Sequence, residues 1–143
     1  EEQYGDNRAA LPARMFFIED DAGAVAASIS AWWETRDFAD PRNRGRIHWV
    51  IVHPDHQRRG LTKPMMTAAL QVLAQHHDQA MLGTSTGRPW AIKVYLDCGF
   101  VPDPAELDRP EVLAAWRRVQ ALLQHPALAQ ALPAADEQDT PVS

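Results

Sequence analysis

Residues 47–66 read Ile47-His-Trp-Val-Ile-Val-His-Pro-Asp-His-Gln-Arg-Arg-Gly-Leu-Thr-Lys-Pro-Met-Met66, and the fold turns on them. Residues 47–52 form an apolar run rich in β-branched side chains, which predicts a strand. It ends at Pro54, which has no N–H to give to a sheet ladder. A polar turn carrying Gln57, Arg58, Arg59 and Gly60 follows. Beyond it Met65, Ala69, Val72 and Leu73 recur at helical spacing, with Met66 and Leu70 beside them. Pro64 falls in the first turn of that helix, where a missing N–H costs nothing. A strand, a tight basic loop and a helix N-terminus bring free backbone N–H groups, the positive end of the helix dipole and two arginines to one place. Such a place suits an anion, and a phosphate above all. The glycine spacing is neither that of a Rossmann turn nor that of a P-loop. An exposed basic turn between a strand and a helix would carry the same residues.

Upstream, Met15–Glu19 is a short apolar run and residues 20–23 are turn chemistry. Residues 24–33 then alternate, with Val25, Ile29 and Trp33 on one face and Ser28, Ser30 and Trp32 on the other. Two strands joined by a Gly-containing turn predict an antiparallel hairpin. Residues 35–46 hold Asp37, Asp40, Pro41, Asn43 and Gly45 and read as a loop leading into the strand at 47. Three strands before the first long helix predict an antiparallel meander. Residues 1–14 are polar, without a clear period, and read as an arm.

Downstream, the helix is expected to run from about Leu61 to His76 or His77. Residues 80–84 are a short strand candidate. Pro89 opens a helix that Gly99 closes as a left-handed cap, and residues 100–102 are expected to begin another strand. A further helix over 110–124 places Val112, Trp116, Val119 and Leu123 on one stripe. The expected organisation is an arm at 1–14, a domain at 15–125 and a tail at 126–143.

A chain of 143 residues is expected to form one domain with a real core, and its 45% hydrophobic fraction is that of an ordinary globular protein. No run of about 18 apolar residues exists, so no membrane span is expected. No secretory leader pattern is present. The sequence opens at Glu1 without a methionine, which is compatible with a natural N-terminus lying further upstream. The single Cys98 has no partner for an internal disulfide, which favours a reducing, cytoplasmic setting. A net charge of −5 argues against nucleic-acid binding.

Val52-His-Pro followed by Gln57-Arg-Arg-Gly-Leu-Thr62 resembles the acetyl-CoA pyrophosphate loop of the GNAT N-acetyltransferase superfamily, Gln/Arg-x-x-Gly-x-Gly/Ala. Gln57 and Gly60 fit, and Thr62 replaces the final small residue. Residues 91–100, Ala-Ile-Lys-Val-Tyr-Leu-Asp-Cys-Gly-Phe, resemble the family's second signature, Asn-x-x-Ala-x-x-Leu-Tyr-x-x-x-Gly-Phe. The two stand in the right order with one helix and one strand between them. The resemblance spans 15–102 and leaves out the C-terminal helix. It implies a mixed α/β fold of the α+β kind: a central, mostly antiparallel sheet flanked by helices, the family's N-terminal helices being short or missing.

The resemblance also implies roles. Main-chain groups of Val50, Ile51 and Val52 would hold the pantetheine arm of acetyl-CoA. Backbone N–H groups of Arg58, Arg59, Gly60, Leu61, Thr62 and Lys63 would hold the pyrophosphate. Arg88 stands where the family has an asparagine. The implied reaction is direct attack by a primary amine, on a small molecule or a peptide, at the acetyl-CoA thioester, with Tyr95 protonating the departing thiolate. The family's usual glutamate base is missing from both predicted strands. His48, titratable near neutrality, is the best substitute; the other reading is a strand histidine facing a partner or solvent. His53 and His56 lie on a Pro-containing turn without a third ligand, so no metal is expected. Trp32 and Trp33, followed by Glu34, Asp37 and Asp40, read either as an acceptor cleft for a cationic amine or as core and rim tryptophans beside a solvated acidic loop. The chain is expected to act as a monomer or homodimer. A non-catalytic acyl-CoA-binding or interaction module of the same fold is the alternative.

Overall fold

The structure, a computed structural model, describes residues 9–33 and 40–134. The chain falls into two compact units, Glu1–Gly83 and Thr84–Ser143.

The first unit runs α1 (Leu11–Arg14), β1 (Met15–Glu19), β2 (Val25–Trp32), β3 (Gly45–Val52), a 3-10 turn (Pro54–His56), α2 (Thr62–Leu73) and β4 (Ala80–Met81). The strands lie in the order β1-β2-β3-β4; the first two pairings are antiparallel and the last is parallel. The sheet is thus mixed and mostly antiparallel, as the meander predicts. The parallel pairing follows because a whole helix separates β3 from β4. Between β1 and β2, Asp20 accepts from the N–H groups of Ala22 and Ala24 at 2.9 Å each, the turn chemistry the sequence announces.

The helix α2 lays Met65, Met66, Ala69 and Leu73 onto the sheet. The alternation expected of β2 is not observed: Val25 is exposed, while all residues from Ala26 to Trp32 are buried on both faces. Burying Ser30 is tolerated because its hydroxyl donates to the His48 carbonyl at 3.0 Å.

The second unit holds α3 (Pro89–Asp97), α4 (Pro104–Leu107), α5 (Pro110–Leu123) and α6 (Pro126–Ala131), each opened by a proline. Gly99, at φ +92°, ends α3: Phe100 N–H donates to the Tyr95 carbonyl at 3.1 Å and Gly99 N–H to the Leu96 carbonyl at 3.0 Å. That is a Schellman cap. Ile92, Leu96, Val119 and Leu128 form the core of this unit, with Trp116 and Leu123 packed against it.

Two expectations for this part are corrected. Residues 100–102 form no strand; the Asp103 carboxylate caps α4 by accepting from Ala105 N–H at 3.1 Å, and prolines on both sides of it remove ladder donors. Residues 126–131, placed in a tail by composition, form α6, whose Leu128 is fully buried. His125 starts α6: its Nδ1 accepts from Ala127 N–H at 3.2 Å, so its proton sits on Nε2, 3.1 Å from an Asp97 oxygen.

Candidate functional site

Strand β3 is irregular in its middle. Ser28 pairs with Ile51 and Ser30 with His48, so Trp49 and Val50 together face Ile29. That extra residue is a β-bulge, and Trp49 in it has φ +51°. A bulky non-glycine residue there costs about 1–2 kcal/mol of backbone strain, and such strain gathers at functional positions. On its other side β3 pairs with β4 only at Gly45 and Arg46. From Ile47 to Val52 its outer edge has no strand partner among the described residues. Val50 and Val52 therefore turn main-chain groups towards this open edge, whereas those of Ile51, opposite Ser28, turn to β2.

The loop beyond β3 is held by side chains on both sides. Gln57 turns back and donates from Nε2 to the Val52 carbonyl at 3.4 Å, tying the loop to the strand end. His56 lies 3.4 Å from Asp20, tying it to the β1–β2 turn, and Arg59 Nη1 stands 3.4 Å from His56 Nδ1. Arg58 at φ +61° and Gly60 at φ +75° turn the backbone through left-handed positions, a pattern that makes anion-binding concavities. Leu61 is the N-cap of α2 and makes no side-chain cap hydrogen bond, so the helix begins on main-chain N–H groups at its positive end. A Cβ on Gly60 would meet nothing within 4 Å, so the space above it is open to a ligand. Pro64 supplies the third helical position, and Thr62 and Lys63 the first two.

His48 is half-buried on β3, with its ring 5.3 Å from that of Trp49 in an edge-to-face arrangement. Burial, and secondarily the Arg46 charge, hold it below the ordinary histidine value. Trp32 is buried and Trp33 half-buried. The Arg14 guanidinium stands 3.5 Å from the Trp33 ring and donates to the Trp33 carbonyl at 3.0 Å; His76 lies 4.8 Å from the same ring. A cation already covers the indole that a substrate cation would use. A cavity of about 390 Å³ beside it is lined by Ala10, Ala13, Arg14, Trp33, Val72 and His76, among others. Asp37 and Glu34 lie outside the described residues. Asp40 is bound by Arg44 through both carboxylate oxygens at 2.9 Å, which holds it well below the usual carboxylate range.

In the second unit Tyr95 lies on α3, half-buried. Burial pushes its phenol above the ordinary value, against a smaller opposing pull from Arg88. Arg88 is the N-cap residue of the same helix, with its side chain exposed.

The Acetyltransferase (GNAT) family sequence model matches residues 1–100. The chain belongs to the GNAT acetyltransferase family. Solved GNAT-fold structures agree. Glucosamine-6-phosphate N-acetyltransferase from Arabidopsis thaliana is similar at 21% identity and a TM-score of 0.51, over 62% of this chain and 60% of that one. A putative acetyltransferase from Agrobacterium tumefaciens str. C58 is similar at 19% identity and a TM-score of 0.51, over 71% of this chain and 74% of that one. This GNAT chain thus spans about 60% of the length of the plant enzyme. At these identities the likeness shows the fold alone. No curated protein matches the sequence. Among the described residues no helix is long and apolar enough to cross a membrane.

Trp49 is the residue that pattern reading passes over. It sits inside an uninterrupted apolar run, and nothing in the alternation marks a bulge; a tryptophan between a histidine and a valine reads as one more strand residue.

Proposed function

We propose that the protein is an N-acetyltransferase that moves the acetyl group of acetyl-CoA onto a primary amine of a small molecule or peptide by direct attack. One observation carries this reading: a helix N-terminus behind a left-handed loop, continuous with an open strand edge, in a GNAT chain. The loop N–H groups of Arg58, Arg59, Gly60, Leu61, Thr62 and Lys63 would take the pyrophosphate, and the edge at Val50 and Val52 the pantetheine amides. With the phosphates at the loop and the arm running back along β3, the thioester reaches the bulge. The backbone group left out of the β2 ladder there would polarise the thioester carbonyl.

The amine nitrogen forms a bond to the acetyl carbon, the carbon–sulfur bond breaks, and the electron pair leaves on sulfur. An alkylamine with a pKa near about 10.4 is mostly protonated at neutral pH, so a proton must first be removed. We assign that role to His48, whose lowered pKa keeps it an unprotonated acceptor at pH 7. Tyr95 we assign as the proton donor to the leaving thiolate. Burial that keeps its phenol neutral supports this, as does its match to the family's tyrosine. Arg88, in the place of the family's asparagine, would supply a guanidinium to the cofactor.

A second reading, a non-catalytic acyl-CoA-binding module, rests on β3 and β4, which carry no glutamate. Thermal shift with acetyl-CoA, CoA and ATP tests the cofactor: selective stabilisation by the two CoA species is expected, and its absence refutes both readings. Free-thiol release from acetyl-CoA across a panel of amines separates them. Binding without turnover of any amine leaves the module.

A further inference from the structure

Trp49 is hard to explain as a strand residue. It is 39% exposed, so its large ring contributes little to the core. It also occupies φ +51°, where a glycine would sit without strain. Both facts disfavour this side chain on grounds of stability, yet it stands at the bulge. Its neighbours are chemically coherent. The His48 ring meets it edge-to-face at 5.3 Å and is held uncharged at neutral pH by burial. Ile51, two residues on, is 52% exposed. Arg46 projects from the same strand, two residues before His48, and lowers the pKa of that histidine through its charge. The bulge therefore presents an exposed indole against a neutral imidazole, with the positive charge of Arg46 on the same strand.

We infer that Trp49 is a specificity-determining residue for the acceptor and that it selects amines carried on an aromatic group. The inference rests on the acetyltransferase reading, which brings the thioester to the bulge. A flat apolar ring stacks offset or edge-on against an indole and gains from burial as well. A second ammonium group, as in a polyamine, meets the field of Arg46 beside the neutral His48 imidazole. The acceptor nitrogen is thereby delivered beside His48 with its apolar body turned onto Trp49.

The test compares three acceptors, 2-phenylethylamine, n-butylamine and spermidine, in the parent and in Trp49→Gly. Glycine keeps the left-handed bulge and removes only the indole, so acetyl-CoA binding and thermal stability should be retained. In the parent, kcat/KM for 2-phenylethylamine should exceed that for the other two by at least about tenfold, the scale of one apolar group recognised in a pocket. In Trp49→Gly that ratio should fall towards one, through a raised KM for the aromatic amine alone, and Trp49→Phe should restore part of it. A parent that prefers n-butylamine or spermidine, or a ratio unchanged in Trp49→Gly, overturns the inference and leaves the acetyltransferase reading standing. Acetyl-CoA that binds without any amine being turned over overturns both.

Discussion

Replacing Gly60 by valine is the sharpest test of the loop. The site is at φ +75°, so any side chain there incurs the left-handed penalty of roughly 1–2 kcal/mol. No atom lies within 4 Å of the added Cβ, so no clash inside the protein adds to it. The folded state should survive, with its melting temperature lowered by about 2–8 °C. The effect on binding is of another kind. The branched Cβ would occupy the open space through which a phosphate must approach the backbone. Losing one charge-assisted hydrogen bond of about 1.5–3 kcal/mol weakens binding about 10- to 100-fold. Gly60→Ala should fall between the parent and valine. Isothermal titration with acetyl-CoA reads the affinity, and differential scanning fluorimetry of the same samples reads the fold. A valine variant that is folded and binds acetyl-CoA as tightly as the parent would falsify the placement of the pyrophosphate on this loop.

Three further outcomes are expected. Tyr95→Phe removes only a hydroxyl, so acetyl-CoA affinity should hold while kcat falls by roughly 10²- to 10⁴-fold, and equal turnover in stopped-flow thiol assays strips Tyr95 of its role. Because burial lowers the pKa of His48, its neutral, proton-accepting form persists further into acid than for a free histidine. The acid limb of kcat/KM should have its midpoint below about 6.5 and should vanish in His48→Gln; a limb that persists unchanged points to a solvent-borne base. Leu128→Ala, made at a fully buried position, should cost about 2–5 kcal/mol in urea unfolding; a loss under about 1 kcal/mol means that α6 is not part of the core.

The strand–loop–helix at 47–66 was legible because each part has a local cause: β-branched residues before a proline, a glycine in the turn, and apolar spacing after it. Gly99 and the prolines at 89 and 110 marked helix ends for the same reason. What was not legible depends on pairing between distant residues. The bulge exists because Ser28 and Ser30 on β2 fix the register of Ile51 and His48, and no property of residues 47–52 states it. The burial of β2 on both faces escaped the period-two reading because alanine and serine fit either face. Residues 100–102 looked like a strand from Phe100 and Val101, but the cap at Asp103 outweighed a weak β preference. Composition places Arg14 in a polar arm, whereas its contact with Trp33 joins residues 19 positions apart.

The small side chains of β2 have a consequence at the far end of α2. Gly45 and Ile47 share a face of β3, Leu73 comes down on Gly45, and Ala31 pairs with Ile47, so Ala27, Ile29 and Ala31 lie under the helix. Alanines there let α2 ride low on the sheet, and the height of the helix fixes where its first-turn N–H groups stand relative to the edge of β3. On the proposed placement of acetyl-CoA, the layer spacing is therefore a gauge for the distance between phosphate donors and pantetheine partners. A larger residue at position 27 or 31 would lift the helix at an overpacking cost of about 1–3 kcal/mol and pull that gauge out of true. Acetyl-CoA affinity would then be lost from beneath, through residues that touch no part of the ligand.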